Sequence, residues 1–277
     1  MKDNSHKALQ NKFSTAIQGI RSYSIDKKDD FYKVVCGPAY KDFTPRNQAK
    51  TTKSDVKGTL DGLANKLYDF IHNGVIETEE DYDKWHDSVC LEFVEQYNQN
   101  GKSTIKYGKA QKIVNMSLKY IYCFDDSKKY REKFCHCHMP IDRYTLEWFC
   151  RYVVKELNAK KEEKEKLDRI SVTKIRDTSW SSLDAGKEMY QYSWIQKQIR
   201  DFLVDGHDSD YLNLDGQPLT PFEAEFYIWP EMQLHLAAED FLFQLKPVDS
   251  GKKKEIKEKA LKEKLDEVAN ALKGYCL

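Results

Sequence analysis

Two lysines and one aspartate stand at spacings that suit nucleophilic chemistry by an amine. Lys112 and Lys119 lie seven residues apart in QKIVNMSLKY, which places them two turns apart on one side of a helix. Asp142 comes directly after Pro140-Ile in MPIDRY. An amine held away from water loses its proton more readily, and a nearby carboxylate can move protons or stabilise a cation. From residue types alone, solvated helical lysines and an ordinary helix cap remain open alternatives.

These two segments resemble the catalytic region of the helix-hairpin-helix DNA glycosylases, and most closely their archaeal-type 8-oxoguanine DNA glycosylase branch. In that family a Gln-Lys pair opens a helix, a second Lys follows, and a Pro-x-Asp comes after a loop. The resemblance covers about residues 101–150, with a weaker similarity in 221–239. It implies that Lys112 attacks the deoxyribose C1′ to form a Schiff base. It also implies that Asp142 assists by its charge and by proton transfer, with Lys119 as an accessory positive charge.

The family resemblance further implies a hairpin whose backbone amides approach a DNA phosphate. Of the glycines in that hairpin, only Gly108 is present here, in IKYGKAQK. Lys102, Lys106 and Lys109 lie beside it and could supply phosphate contacts in its place. We therefore expect this lysine-rich segment, together with Gly108, to bind DNA.

An aromatic segment at residues 178–194 could form the pocket that receives a flipped base. Its aromatic side chains are Trp180, Tyr190, Tyr192 and Trp194. Glycosylases stack their target base between such rings, although packing in a helical core is an alternative use for them. We expect Trp148 and Trp229 to lie in the core. Glu223 and Glu225 could hydrogen-bond a base, but charges on a helix surface are the simpler interpretation.

The segment FCHCHMP has the residue types of a metal site but not the spacing. Cys135, His136, Cys137 and His138 alternate, so in an extended chain the two thiols point away from the two imidazoles. Structural zinc sites usually need a wider gap within each ligand pair and a second pair elsewhere. The chain contains no Cys-x-x-Cys pair. We expect a packed loop here, and neither a metal nor another cofactor.

The elements that must position these residues are predicted to be helices. Apolar residues recur at helical spacing in segments 59–72, 79–98, 107–123 and 252–273, and again after Pro140. Asp142 is placed as the N-cap of the helix after Pro140. Thr220 and Glu223 form a capping box with Pro221 between them, and Pro230 is expected to kink or restart that helix. The predicted fold class is all-α, a compact multi-helix domain resembling the helix-hairpin-helix DNA glycosylase fold.

The overall composition is that of a globular protein with segregated charge. The 277 residues include 45 Lys+Arg and 45 Asp+Glu, yet residues 1–60 carry +6, residues 61–100 carry −8 and residues 101–133 carry +6. Such segregation can give a neutral protein one positive face for a duplex, although solvated helix faces are the alternative. The chain has no apolar stretch long enough for a membrane span and no apolar signal core in MKDNSHKALQNKF, and its seven Cys are scattered. This pattern predicts a cytoplasmic protein with no membrane partner.

The resemblance, together with the segregated charge and the aromatic segment, implies a DNA glycosylase with AP-lyase activity, which we expect to act as a monomer on double-stranded DNA. We expect one helical domain over 1–277, or two lobes, about 1–100 with the C-terminal helices and about 101–200, flanking a cleft. The substrate would be 8-oxoguanine or a hypermodified phage base, the latter in anti-phage defence. The main alternative is a non-catalytic helical nucleic-acid-binding or adaptor module, in which Lys112 and Asp142 lie apart or face solvent. A metal-dependent nuclease is the third interpretation.

Overall fold

The computed structural model describes residues 8–9, 19–44, 51–160, 169–205, 211–213 and 215–244, and the single residues 259, 262 and 266. Across these ranges the chain is helical, and extended pairing is limited to one isolated bridge between Leu212 and Pro218. The predicted all-α class is therefore confirmed for this part of the chain. The terminal helix expected over 252–273 lies outside the described residues, apart from the helical Lys259, Lys262 and Asp266.

The helices predicted from periodicity over 59–72, 79–98 and 107–123 are present, and their ends lie within two residues of the predicted ones. In chain order the described α-helices are α1 Lys28–Val34, α2 Tyr40–Phe43, α3 Lys57–Asn73, α4 Glu79–Asn100, α5 Tyr107–Tyr122, α6 Arg143–Trp148, α7 Val154–Ala159, α8 Val172–Asp177, α9 Tyr192–Val204 and α10 Pro221–Gln244. The π-helical turns Val35–Ala39 and Phe149–Val153 join α1 to α2 and α6 to α7, and 3₁₀ segments cover Ser127–Phe134 and Trp180–Ser182. Among the described residues, no helix combines the length and the apolar composition that a membrane span requires.

Helix α5 is the central element of the fold. All of its residues except Lys109 and Lys112 are buried, because it packs against α4, α2, the first π-helical turn and both 3₁₀ segments. A helix that is buried over most of its surface cannot leave the polar groups of its buried residues to water. Its buried Gln111, Asn115 and Lys119 must therefore find partners inside the protein. Those partners bring the candidate site together.

Helix α10 begins with the capping box that the sequence predicts. The Glu223 main-chain N–H donates to the Thr220 hydroxyl at 3.2 Å, and the Thr220 N–H donates to the Glu223 carboxylate at 3.4 Å. The helix then continues through Pro230 to Gln244 as one element, so the proline does not restart it. Its main packing partner is α6, and α9 also contacts it. Helix α10 therefore runs from the capping box past the start of α6.

Four aromatic rings fasten the first turns of α10 to the end of α5. The ring of Phe222 lies 5.5 Å from that of Tyr122, 5.7 Å from that of Phe134 and 5.9 Å from that of Phe226. Phe222 is 1% exposed, so its whole ring contributes apolar burial as well as edge contacts. The position of α10 over α5 depends on this cluster.

Replacing Phe222 by alanine should destabilise the protein by about 3–5 kcal/mol, because the buried ring leaves a cavity between α5 and α10. Urea denaturation measures the change. Leu234→Ala is the control on the same helix, since Leu234 is 44% exposed and its loss should cost less than about 0.5 kcal/mol. Equal losses for the two variants would contradict the anchoring role of the aromatic cluster.

Candidate active site

The carboxylate of Asp142 caps helix α6, as the sequence predicts. Its Oδ1 accepts hydrogen bonds from the N–H groups of Tyr144 at 2.8 Å and Thr145 at 3.2 Å. In return the Thr145 hydroxyl accepts from the Asp142 N–H at 2.8 Å, which completes a capping box. Oδ1 is therefore engaged by the helix, and the second oxygen, Oδ2, is left to face another element.

Oδ2 of Asp142 receives one donor from α5 and one from α10. The ammonium Nζ of Lys112 lies 3.3 Å away, and the indole Nε1–H of Trp229 donates at 3.1 Å. The side chains of Lys112 and Asp142 are 14% and 10% exposed, respectively. The ion pair is therefore largely removed from water but still reachable from the surface. Three elements meet at one carboxylate oxygen.

Gln111 sets the spacing between α5 and the segment that leads to α6. Its Nε2 donates to the Ile141 carbonyl at 2.7 Å and to the Gly108 carbonyl at 2.8 Å. Its Oε1 accepts from the Ile141 N–H at 3.1 Å. Because Gln111 precedes Lys112 and Ile141 precedes Asp142, this two-way contact holds the lysine and the carboxylate side by side.

A second ion pair lies two turns further along α5. Lys119 and Glu225 form a salt bridge in which the two side chains are 3% and 1% exposed. The Lys119 ammonium also sits 4.7 Å from the ring centre of Phe226. Burial raises the pKa of Glu225, the charges of Lys119 and Lys112 act to lower it, and Asp142 adds to the rise. The prediction of Glu225 as a helix-surface charge is therefore wrong, because its carboxylate belongs to the buried interior of the site.

Trp180 lies against the ammonium of Lys112. Its half-buried ring lies 4.7 Å from Lys112 Nζ, a distance at which a cation and an aromatic face attract each other. The segment that carries Trp180 crosses the first turn of α5 and is fastened there by a hydrogen bond from the Gly108 N–H to the Leu183 carbonyl at 2.9 Å. Of the predicted pocket aromatics, Trp180 thus contacts the predicted nucleophile.

Gly108 does not have the position expected of a phosphate-binding residue. It is buried, and its N–H is already used by Leu183. A Cβ at this position would lie 2.0 Å from the Trp180 carbonyl oxygen, so only glycine lets the two segments pass so closely. The prediction that Gly108 binds DNA is therefore corrected. Glycine at this position allows the Trp180 segment to pack against α5.

The three lysines predicted to bind DNA lie around the start of α5. Lys102 and Lys106 are exposed and Lys109 is half-buried. Lys102 pairs with Asp55 at 3.1 Å, and Lys106 pairs with Asp184 at 3.6 Å. Ion pairs of this kind on the surface are weak and exchange readily for another anion.

Two of the other predicted pocket aromatics are half-buried beside the Trp180 segment. Tyr190 has a left-handed backbone (φ 76°), and its hydroxyl accepts from the Ser171 N–H at 3.2 Å. The ammonium of Lys174 lies 4.2 Å from the Tyr190 ring centre. Trp194 packs edge-on against Phe149, with ring centres 5.9 Å apart. Both residues contact structural neighbours here, and their use in a base pocket stays a prediction.

Tyr192 has no exposed ring face with which to stack a base. It is 0% exposed, and its hydroxyl lies 2.9 Å from Asn115 Nδ2 and 3.1 Å from His138 Nδ1. The prediction of Tyr192 as a pocket residue is therefore corrected, because a buried tyrosine needs a partner for its hydroxyl and finds two in the core. Trp148 is buried as predicted, at 1% exposure.

Trp229 and Glu225 are the site residues that sequence reasoning missed. Both were assigned structural positions, yet Trp229 is half-buried and donates to Asp142, and Glu225 holds Lys119. Their spacing of four residues on one helix was the available signal, since it places them on the same face. Nothing in the local pattern could show which carboxylate or lysine that face would meet.

His138 belongs to a buried hydrogen-bonded chain. Its Nε2 lies 2.7 Å from Asp83 Oδ1, while Cys137 is buried and Cys135 is exposed. In the part of the chain that the structure describes, no group of three or more Cys, His, Asp or Glu side chains is suited to hold a metal ion. A second imidazole, His86, lies with its ring centre 4.5 Å from that of His138.

Both imidazoles are held neutral by their surroundings. Burial lowers the pKa of His138 to about 4, although the hydrogen bond to Asp83 opposes the shift. Burial also lowers the pKa of His86 to well below its usual range, and His138 and Arg200 add to that effect. Burial acts to raise the pKa of Asp83, but hydrogen bonds from His138 and Arg200 outweigh it and keep the carboxylate ionised. The interior therefore contains two uncharged imidazoles beside one ion pair.

Comparison with family models, with curated protein sequences and with solved structures found no match for this chain. Its function must therefore be inferred from its own residues and contacts.

Gly108→Ala should destabilise the protein by about 1–3 kcal/mol, because the added methyl group would overlap the Trp180 carbonyl. Trp180 fluorescence cannot be isolated among five tryptophans, so urea denaturation is the measurement. Gly58→Ala is the matched control in a helix, since its Cβ would meet open space and stability should be unchanged or slightly raised. A neutral Gly108→Ala would contradict the close crossing of the two segments.

The free energy of unfolding should fall as the pH drops from about 6.5 toward 4. In this range the unfolded chain binds protons at His86 and His138, whereas the folded state keeps both imidazoles neutral. Each histidine therefore lowers the free energy of unfolding by roughly 1.4 kcal/mol per pH unit. Protonation of Asp83 lowers the free energy of unfolding further only at lower pH, because the pKa of this carboxylate is lowered in the folded state. Urea denaturation between neutral pH and about pH 5 measures the slope, and His138→Gln should reduce it. A flat profile over this window would contradict neutral buried imidazoles.

Proposed function

We propose that this protein is a DNA glycosylase with AP-lyase activity, in which Lys112 is the nucleophile and Asp142 the assisting carboxylate. The observation that carries the proposal is the 3.3 Å contact between Lys112 Nζ and Asp142 Oδ2 in a largely buried setting. The sequence resemblance led us to expect these two side chains together. They come from different helices and lie thirty residues apart in the chain.

The pair supplies the two functions that base excision by an amine requires. The Lys112 ammonium passes a proton to Asp142 Oδ2, and the free amine attacks C1′ of the flipped nucleotide. A bond forms between Nζ and C1′ as the glycosidic bond breaks, and the base leaves with the bonding electrons and takes up the proton that Asp142 holds. The carboxylate, ionised again by this transfer, then stabilises the cationic sugar. Opening of the sugar ring then gives the Schiff base.

The lyase step follows from the same intermediate. The iminium at C1′ makes the C2′ hydrogen acidic, and its removal by a base expels the 3′ phosphate as the C3′–O bond breaks. Hydrolysis of the imine then returns Lys112 as an amine. No redox change occurs in either step, so the chemistry calls for no redox cofactor.

Two tryptophans support this use of the pair. The indole N–H of Trp229 donates to Asp142 Oδ2 at 3.1 Å, which orients the carboxylate. Trp180 lies over Lys112 and shields the amine from water. A flipped nucleotide must displace or stack upon this ring to reach Nζ.

Double-stranded DNA is the partner that this proposal requires. The exposed Lys102 and Lys106 and the half-buried Lys109 lie around the start of the helix that contains Lys112, where they can contact phosphates near the flipped nucleotide. The proposed base is 8-oxoguanine or a hypermodified base of phage DNA. The non-catalytic alternative expects Lys112 and Asp142 to be separated or solvent-facing, so their buried contact favours the enzyme.

Lys112→Ala should abolish the covalent adduct that borohydride traps on a duplex with an abasic site or 8-oxoguanine. The reason is that no other amine stands beside Asp142 Oδ2 among the described residues. Adduct formation is measured by gel shift, and the modified peptide is identified by mass spectrometry. Lys66→Ala is the matched control, because Lys66 is also a partly shielded, ion-paired helical lysine, 2.8 Å from Glu92.

The adduct should survive in Lys66→Ala and map to Lys112 in the wild type. Adduct on the abasic duplex alone would keep the amine mechanism and direct the search for the base toward hypermodified phage DNA. A wild type that gives no adduct on either duplex, and is indistinguishable from Lys112→Ala, would refute the glycosylase proposal in favour of the binding module.

Asp142→Asn should lower the rate of base excision by roughly 10²–10⁴-fold while the protein stays folded. The asparagine oxygen can still accept the two N–H bonds at the start of α6, so the helix cap survives while the charge is lost. Single-turnover excision and urea denaturation measure the two effects. Asp61→Asn is the control for loss of a helical carboxylate, since Asp61 pairs only loosely with Lys57, at 3.6 Å. Excision as fast as in the wild type would exclude a catalytic role for the carboxylate.

A further inference from the structure

A buried hydrogen-bonded chain runs from an ion pair near the surface to the peptide that presents Asp142. It begins at Asp83, which accepts from the Arg200 guanidinium at 2.5 and 3.1 Å. The same carboxylate lies 2.7 Å from Nε2 of His138. A carboxylate can only accept, so the hydrogen of the His138 ring must sit on Nε2.

The position of that hydrogen fixes the direction of the next two hydrogen bonds. A neutral His138 with its hydrogen on Nε2 has an acceptor at Nδ1, which takes the Tyr192 hydroxyl hydrogen at 3.1 Å. The Tyr192 oxygen is then an acceptor, and Asn115 Nδ2 donates to it at 2.9 Å. The amide of Asn115 is thereby prevented from turning over.

The orientation of the Asn115 amide determines the orientation of the Gln111 amide. The second hydrogen on Asn115 Nδ2 is donated to Gln111 Oε1 at 3.1 Å, and Asn115 Oδ1 accepts from His86 at 3.1 Å. Gln111 Oε1 is therefore an acceptor on this side. Its Nε2 must face the other way, toward the carbonyls of Ile141 and Gly108.

The reverse orientation of Gln111 would release the Asp142 peptide. With the amide turned over, Oε1 would face two carbonyl oxygens, and Nε2 would face the N–H of Ile141. Both contacts would become repulsive, and each buried group left without a partner costs about 1–3 kcal/mol. One orientation of the Gln111 amide is thus compatible with Asp142 beside Lys112.

We propose that His138, Tyr192 and Asn115 are positioning residues, which transmit the orientation imposed by the Arg200–Asp83 ion pair to Gln111 and so hold Asp142 against Lys112. This inference rests on the proposed function, in which the contact between Lys112 and Asp142 performs the chemistry. None of the three touches the reacting atoms. Their effect is on the place of the carboxylate, and so on the excision rate more than on the binding of DNA.

Tyr192→Phe is the test variant, because it removes the single oxygen that joins Asn115 to His138 and keeps the ring in the core. Tyr120→Phe is the matched control. Tyr120 lies on α5 and is also buried. Its hydroxyl donates to Asp42 at 2.7 Å, and Asp42 is not a member of the hydrogen-bonded chain that includes Tyr192. Asn115→Asp is a second, stronger variant, since it places a carboxylate oxygen against Gln111 Oε1. The conservative tyrosine change decides the question if the stronger variant fails to fold.

Three quantities are measured on each variant. Amide hydrogen exchange by NMR follows the Ile141 N–H, which donates to Gln111, and needs no substrate. Single-turnover excision and DNA affinity are measured on the duplex on which the wild type is active. In Tyr192→Phe we expect faster Ile141 exchange and an excision rate lower by on the order of ten- to a hundredfold, with unchanged affinity. Tyr120→Phe should change neither.

The outcomes separate this inference from the function on which it rests. The positioning role would be overturned if Tyr192→Phe and Tyr120→Phe had equal effects on Ile141 exchange or on the excision rate. A fall in affinity with an unchanged rate would also overturn it. If the wild type forms no adduct and excises no base, the proposed function fails, and Ile141 exchange alone decides the coupling: faster exchange in Tyr192→Phe supports it, and unchanged exchange refutes it.

Discussion

The side-chain amide of Gln111 exchanges two hydrogen bonds with the main chain of Ile141, and the geometry of the candidate site depends on this contact. These two residues directly precede Lys112 and Asp142. Any displacement of the loop relative to α5 that separated the ammonium from the carboxylate would therefore also strain the amide contact. Both groups of the contact are buried, so water cannot replace the lost partners. A local interaction thereby fixes two side chains that lie far apart in the sequence.

The burial of α5 explains why so many polar side chains meet in this interior. An apolar residue in place of Asn115 or Lys119 would avoid the cost of desolvation, and buried ion pairs often add little net stability. Such groups make alternative packing arrangements unfavourable in free energy, because a misplaced partner leaves a charge or an amide without a hydrogen bond. Lys119 with Glu225 imposes this constraint between α5 and α10, and Asp83 with Arg200 imposes it between α4 and α9. The interior of this protein is specified by polarity as much as by shape.

Local patterns in the sequence predict the helices and the cap at Asp142 well, because both follow from short-range spacing. The residue types and spacings suggest an amine and a carboxylate for chemistry, but they cannot show that Lys112 meets Asp142, and the family resemblance suggested that contact. Trp229 meets Asp142 across 87 residues, and no periodicity identifies the partner of a helix face over such a separation. Gly108 was assigned to DNA contacts from the family resemblance, and Tyr192 was assigned to a base pocket from its residue type. Their positions are decided instead by a crossing segment and by a buried hydroxyl.

The two buried ion pairs of the site also have a consequence for how a polyanion would be attracted. Lys112 with Asp142 and Lys119 with Glu225 form a quartet whose formal charges cancel, and Glu225 senses both lysines and the other carboxylate. Such a quartet projects almost no field beyond its own surroundings. Long-range capture of the proposed DNA must then depend on surface lysines, whose attraction is screened by salt over about 10 Å at 0.1 M. In the proposed function, encounter and chemistry would thereby be governed by separate sets of charges, and ionic strength would act on the first while leaving the second nearly unchanged.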